Sequence, residues 1–295
     1  DLLPASDATV MKVLASNATA AFGATAHRLD LVSDKPDAPG GAWTEEFGVY
    51  HDSEQTAEGL PVTGGGFGVS AGVDLLASRN HLIGAFAALE SVELEEENRT
   101  SAPLNVSQTT VGAYGGWRNG GLAINGAAGV GFAKFTSDRE LQIGGLTDRL
   151  RADWSGMTYN AAGRATYTLP LGFLDVKPYV AADYMGFTQD GYTERADTLS
   201  DLAIIADDGE AKLATASYGL SLVGNFGSDG AYSIKPQLSV GYRNVLTWDD
   251  TAAPMRFSGG SAGTTFTLDP GAQPEDAVVA GLGLNIDSQF LNIHV

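Results

Sequence analysis

The stretch GGGFGVSAGVDLL, Gly64 to Leu76, carries two catalytic patterns at once. Gly68, Ser70 and Gly72 spell G-x-S-x-G, in which a strained turn lifts a serine nucleophile above a sheet. Gly66, Gly68 and Ala71 spell G-x-G-x-x-A, in which glycines let a backbone close on a pyrophosphate. Both chemistries require a strand, a sharp turn and then a helix. No helix follows here. Phe67, Val69, Ala71, Val73 and Leu75 alternate with Gly68, Ser70, Gly72 and Asp74, and Leu75 leads only to a short turn at Ser78. Period two makes this one strand, so Ser70 is expected to be an inward hydroxyl rather than a nucleophile. The other groups offer no substitute. His27, His51, His81 and His294 are scattered, with no H-E-x-x-H spacing. Glu45-Glu46 and Asp207-Asp208 are sequence neighbours, which a strand points to opposite faces and a loop leaves solvated. Cysteine is absent, so thiolate sites and disulfides are excluded. The sequence predicts no catalytic residue, no cofactor and no metal site.

The elements that hold these residues change character once. Residues 1–32 read as a helix: Ser6 or Asp7 can cap it, and Met11, Leu14, Ala18, Phe22 and Leu29 recur at helical spacing. It is slim, with Ala15, Ala20, Ala21, Gly23, Ala24 and Ala26 among its side chains. SDKPDAPGG breaks it, making 33–41 a linker. From residue 42 to 295 the period is two. Tyr232, Ile234, Pro236, Leu238, Val240 and Tyr242 share one face, opposite Ser233, Lys235, Gln237, Ser239, Gly241 and Arg243. Leu174, Val176, Pro178 and Val180 oppose Asp175, Lys177, Tyr179 and Asp183 in the same way. These are strands with one greasy face and one polar or tiny face.

Connections decide what kind of sheet this is. Short turns near Ser78, Asn119, Leu171, Asp229 and Asp287 alternate with longer polar stretches at 52–63, 95–105, 137–147, 193–210 and 249–274. Tight turns on one rim and long loops on the other are the layout of an antiparallel transmembrane β-barrel, whose strands need no apolar run of ~20 residues. A soluble sandwich would alternate in polarity but not in loop length. Trp43, Trp117, Tyr159, Tyr167, Tyr184, Tyr232 and Tyr242 are candidate membrane-girdle residues. Ser70, Asp74, Arg118, Arg164, Asp175, Lys177, Asp183, Lys235 and Arg243 are predicted to face the lumen. A formal charge of −19 excludes nucleic acid as a partner.

A slim helix, a Pro/Gly break, then AWTEEFGVYH (Ala42 to His51) and GFGVSAGVD (Gly66 to Asp74) resembles the C-terminal translocator of autotransporters, the type V secretion proteins. TTVGAYGGWRNGG, KPYVAADYMGF and IKPQLSVGYR resemble its later strands, and AAFGATAHRLD its pore helix. The resemblance implies a twelve-stranded bacterial outer-membrane barrel with an N-terminal α-helix in the pore. Met11, Leu14, Ala18, Phe22 and Arg28 would belong to that pore helix. It also implies as partners an N-terminal passenger domain, the barrel-assembly machinery, and outer-membrane lipid with lipopolysaccharide, around a monomeric barrel. Members that cut the helix inside the pore do so between polar residues, which Ser16-Asn17 would supply. The pattern gives ten full strands and the opening of an eleventh, QFLNIHV, where the family ends on an aromatic residue. About thirty residues, the rest of one strand and a last one, are therefore expected beyond Val295. The alternative is a stand-alone porin-like or adhesin-like barrel gated by its N-terminal helix.

Overall fold

A computed structural model describes residue 28 and residues 41–53, 62–96, 103–228, 232–251, 253–261, 263–267, 275–288 and 292–294. Ten long strands carry the described chain. They are β1 (Ala42–Ser53), β2 (Val62–Ala77), β3 (His81–Glu96), β4 (Leu104–Asn119), β5 (Leu122–Ile143), β6 (Leu146–Tyr167), β7 (Leu174–Gln189), β8 (Gly209–Gly224), β9 (Tyr232–Thr251) and β10 (Ala277–Ser288). A short β11 (Asn292–His294) follows β10. Order in the sheet is order in the sequence, and each of these neighbours pairs antiparallel. The result is one curled all-β sheet. The expected pore helix and linker lie outside the described residues apart from Arg28, which is helical at its own position, and Gly41.

The outer face of the sheet is apolar, and the inner face alternates polar stretches with buried apolar patches. Phe67, Leu75, Leu89, Phe132, Val180 and Leu282 point outward, the last 85% exposed. The inner face buries Ser70, Glu90, Gln108, Thr110, Thr158 and Asn160. Water would drive the outer row into a core, whereas a bilayer solvates it. Exposed Trp117, Tyr167, Phe173 and Phe226 ring the short-turn rim, and exposed Tyr159 and Tyr184 lie higher on the wall. Strands tilted by about 40° cross the hydrocarbon in ~10 residues, which fits two aromatic belts at this separation.

Two expectations are corrected. Trp43 is not a girdle residue: it pairs in register with Gly72 and sits on the inner face against Tyr114. The expected loop over 137–147 is strand, because Gly144 (φ 57°) and Gly145 (φ 87°) close β5 onto β6 in a tight turn. Both φ values lie where an L side chain is strained. β5 and β6 are 22 residues each, against 16 for β2, β3 and β4, and so rise above their neighbours. The side chain of Tyr232 lies outside the described residues.

Candidate functional site: the lumen

Asp74 lies near the short-turn end of β2, where the register against β3 shifts between Asp74 and Leu76. Its carboxylate faces inward by ordinary alternation, on the row of Ser70 and Gly72 and in register with Gly84, and the bulge falls after it at Leu75. Its side chain is wholly enclosed, and three donors converge on it. The Arg28 guanidinium spans both oxygens, with Nε 3.4 Å from Oδ1 and Nη2 in an ion pair with Oδ2. The Tyr114 hydroxyl donates to Oδ1 at 2.7 Å, and the Gly41 amide to Oδ2 at 3.0 Å. Trp43 Nε1 donates in turn to the Tyr114 oxygen at 2.8 Å. A buried carboxylate is tolerable when its lone pairs are met and a cation balances it. The network therefore ties Arg28 to the first, second and fourth strands. Tyr114 fits only because its neighbour on β3 is Gly84, where a Cβ would overlap the phenol ring.

Higher on the same wall the acceptors stand bare. Gln108 Nε2 donates to Thr110 Oγ1 (3.0 Å) and Thr158 Oγ1 (3.3 Å), and Asn160 Nδ2 donates to Thr158 Oγ1 (3.1 Å). Their amide nitrogens are thereby occupied. Among the described residues, Gln108 Oε1, Asn160 Oδ1, Ser70 Oγ and both oxygens of Glu90 are buried without a partner. Glu90 lies directly opposite Gln108 on one side and Gly68 on the other. Sequence reading missed Glu90, Gln108, Thr158 and Asn160. The available signal was parity, since residues paired across the sheet with the Ser70 row share its face.

From the lower part of β6 round to β9 the wall is mixed in charge. Arg164 lies 4.0 Å from the Tyr179 ring centre, a cation–π contact. Asp175 accepts from Asn225 Nδ2 at 2.9 Å and Asp183 from Thr215 Oγ1 at 3.5 Å. Register places Lys177 opposite Ser221, Lys235 opposite Asn285 and Arg243 opposite Ser217, all on the inner row. Arg118 sits at the short-turn rim, donating to the Arg79 carbonyl at 3.3 Å. The structure brings Arg28 and Asp74 together and sets Asp183 within electrostatic reach of Arg243 and Arg164; Arg118, Asp175, Lys177 and Lys235 lie elsewhere along the wall. Met11, Leu14, Ser16, Asn17, Ala18 and Phe22 lie outside the described residues. Among the described residues no three His, Cys, Asp or Glu gather as metal ligands.

The family model described as autotransporter beta-domain matches residues 42–290. The chain belongs to the autotransporter β-domain family. It is an integral outer-membrane protein and the translocator for a passenger. Among solved structures it is similar to the translocator domain of the autotransporter NalP from Neisseria meningitidis, with a TM-score of 0.64 at 16% identity. That likeness covers 95% of this chain and 87% of the other. The β-domain of the Bordetella autotransporter BrkA is also similar, with a TM-score of 0.55 at 13% identity over 85% of this chain and 87% of that one. At such identities the likeness speaks to the fold. No curated protein matches the sequence. Translocator domains of this family are not catalytic.

This autotransporter β-domain also has a built extracellular end. Arg139, on the inner row of β5, grips Glu194 through two hydrogen bonds of 2.7 Å, and both side chains are almost completely buried. The Ile204 amide adds a third donor to Glu194 Oε2 at 2.8 Å. Asp148, on the inner row of β6, accepts the amides of Leu199 (2.6 Å), Thr198 (2.9 Å) and Arg149 (2.9 Å). Those backbone donors, Leu199 and Thr198 foremost, hold its carboxyl below the usual carboxylate range.

Proposed function

We propose that this β-domain carries its own N-terminal passenger across the outer membrane through the lumen and afterwards keeps residues 1–32 in the pore. The observation that carries this reading is the Arg28–Asp74 pair: a cation of the N-terminal segment lies inside the wall, bound on both carboxylate oxygens. Met11, Leu14, Ala18 and Phe22 would line the same segment, whose small side chains suit a narrow pore. Ser16-Asn17 is the position at which a passenger could be released. The barrel-assembly machinery would insert a monomeric barrel, with lipid and lipopolysaccharide against its outer face. The domain works without a cofactor and without chemistry of its own.

The test uses the intact gene, with an epitope tag just upstream of Asp1 and protease added to whole cells. Loss of the tag from intact cells supports export of the N-terminal side. Cleavage only after permeabilisation would replace this reading with the porin-like barrel, in which the segment enters from the periplasm.

A further inference from the structure

Above the membrane the inner rows of β5 and β6 do not meet water. Leu141 is 1% exposed, Leu150 is 0% and Ala152 is 3%. Residues 190–206, between β7 and β8, and residues 253–261 and 263–267, between β9 and β10, cover them. Within them Ile204–Ala206 pairs with Met255–Phe257 on one side and with Tyr192–Thr193 on the other, forming a three-stranded sheet. Ile204, Met255 and Tyr192 pack on Ala152, with Trp154, Phe257 and Phe266 around them. Tyr192 stacks on Trp154 at 4.4 Å between ring centres. Ala203, Leu199 and Leu202 pack on Leu141 and Leu150. The neck is tied as well: the Asp190 amide bonds the Ser155 carbonyl, and the Gly191 amide bonds Asp208.

The side on which this sheet sits matters. Arg139, Leu141, Asp148, Leu150 and Ala152 continue the row that lower down carries Gly131, Thr158 and Asn160, so the covered face is the lumen face. The β7–β8 connection springs from the strand paired with β6 and the β9–β10 connection from two strands farther on, and their described residues fold onto the lumen face of the β5–β6 hairpin. Beneath them lies an apolar belt that includes Val92, Leu104, Val106, Phe135 and Phe187. We infer that residues 190–206, with residues 253–261 and 263–267 of the β9–β10 connection, form a latched lid on the lumen face at the extracellular end of β5 and β6, held shut by Arg139–Glu194. The lid covers that end of the lumen independently of any segment in the pore.

Glu194 suits the latch. A buried ion pair is stable only when complete, and loss of one partner strands the other charge away from water. The Glu194 carboxylate also orders the Ile204 amide, so the ion pair and the small sheet hold or release together.

These 295 residues contain no cysteine, so Ser137→Cys gives the β-domain a single thiol in a covered position, 7% exposed and directly opposite Ala152. Intact cells are treated with a membrane-impermeant maleimide, with Gln142→Cys as the exposed control. Ser137→Cys should label about tenfold more slowly than the control, and adding Glu194→Gln should bring it within about threefold. Ile205→Cys with Arg256→Cys, directly opposite each other in register, should restore protection when oxidised and lose it when reduced. The lid is overturned if Ser137→Cys labels like the control in the otherwise unchanged protein. The latch is overturned if Ser137→Cys stays protected with Glu194→Gln in a barrel that still shows heat-modifiable migration. Should Glu194→Gln not fold, Arg139→Lys, which keeps the charge and loses the two-pronged grip, is read in the same way.

Discussion

Arg28 and Asp74 are 46 positions apart, yet the guanidinium of one closes on both oxygens of the other inside the wall. Arg28 is partly exposed while the Asp74 side chain is fully enclosed. The energetic weight therefore falls on the carboxylate. Asp74→Ala should strip Arg28, Tyr114 and Gly41 of a shared acceptor and cost about 3 kcal/mol. Asp74→Asn, which keeps the shape and loses the charge, should cost about half of that. Both should lower the temperature at which the barrel changes migration on a gel and make the N-terminal segment easier to digest. Unchanged digestion would mean that the pair does not hold the segment.

Tyr114 depends on Gly84 for its place. A methyl group at Gly84 would overlap the phenol and push it off both Asp74 and Trp43. Gly84→Ala should cost roughly 1–3 kcal/mol as overpacking. Tyr114→Phe removes only the hydroxyl, and should cost about 1 kcal/mol while leaving the ring in place. Near-ultraviolet circular dichroism from the Trp43–Tyr114 pair should change more for Gly84→Ala than for Tyr114→Phe. The reverse order would contradict the tight fit.

Alternation, glycine spacing and the order of short and long connections are local properties, and they were enough to place ten long strands and a curled sheet. Cross-strand geometry is not local. Trp43 was assigned to the lipid side because a tryptophan near a strand end looks like a girdle residue. Its actual face follows from pairing with Gly72, which the sequence does not declare. Asp138 and Glu140 gave 137–147 the composition of a loop, although Ser137, Arg139 and Leu141 alternate with them and Gly144-Gly145 marks the turn. Asp74 was legible as an inward charge and Arg28 as a helix residue. Their contact was not, because it depends on where the N-terminal segment sits, which no local pattern declares.

The lid should respond to acid at Asp148. This carboxyl is held below its ordinary value of 3.8 by backbone donors from the β7–β8 connection. A depressed value means that the folded state favours the charged form. Its contribution is thus fully present above 3.8 and is lost as pH falls through the depressed value. Trp154 fluorescence, which senses Tyr192 stacked on it, should be flat from neutral pH to about 4.5 and change below 3.8. In Asp148→Asn that acid transition should be lost or shifted. An identical transition in the variant would place the responding group elsewhere.

Glu90 poses the opposite case to Asp74. It lies on the same polar wall and is 5% exposed, but both its oxygens lack a donor. Gln108, directly opposite, has already committed its amide to Thr110 and Thr158. A lone buried charge is costly, and an uncharged group of the same shape avoids most of that cost. Glu90→Gln should therefore stabilise the barrel by roughly 1–3 kcal/mol, raising the temperature of the gel-migration change at pH 8. Glu90→Leu should gain less, because the bare carbonyl of Gln108 and the hydroxyl of Ser70 would then face an apolar side chain. If Glu90→Gln is instead destabilising by a similar amount, the carboxylate has a cationic partner in the lumen of the working protein. The row of bare acceptors would then be a seat for positive charge rather than a strained stretch of wall.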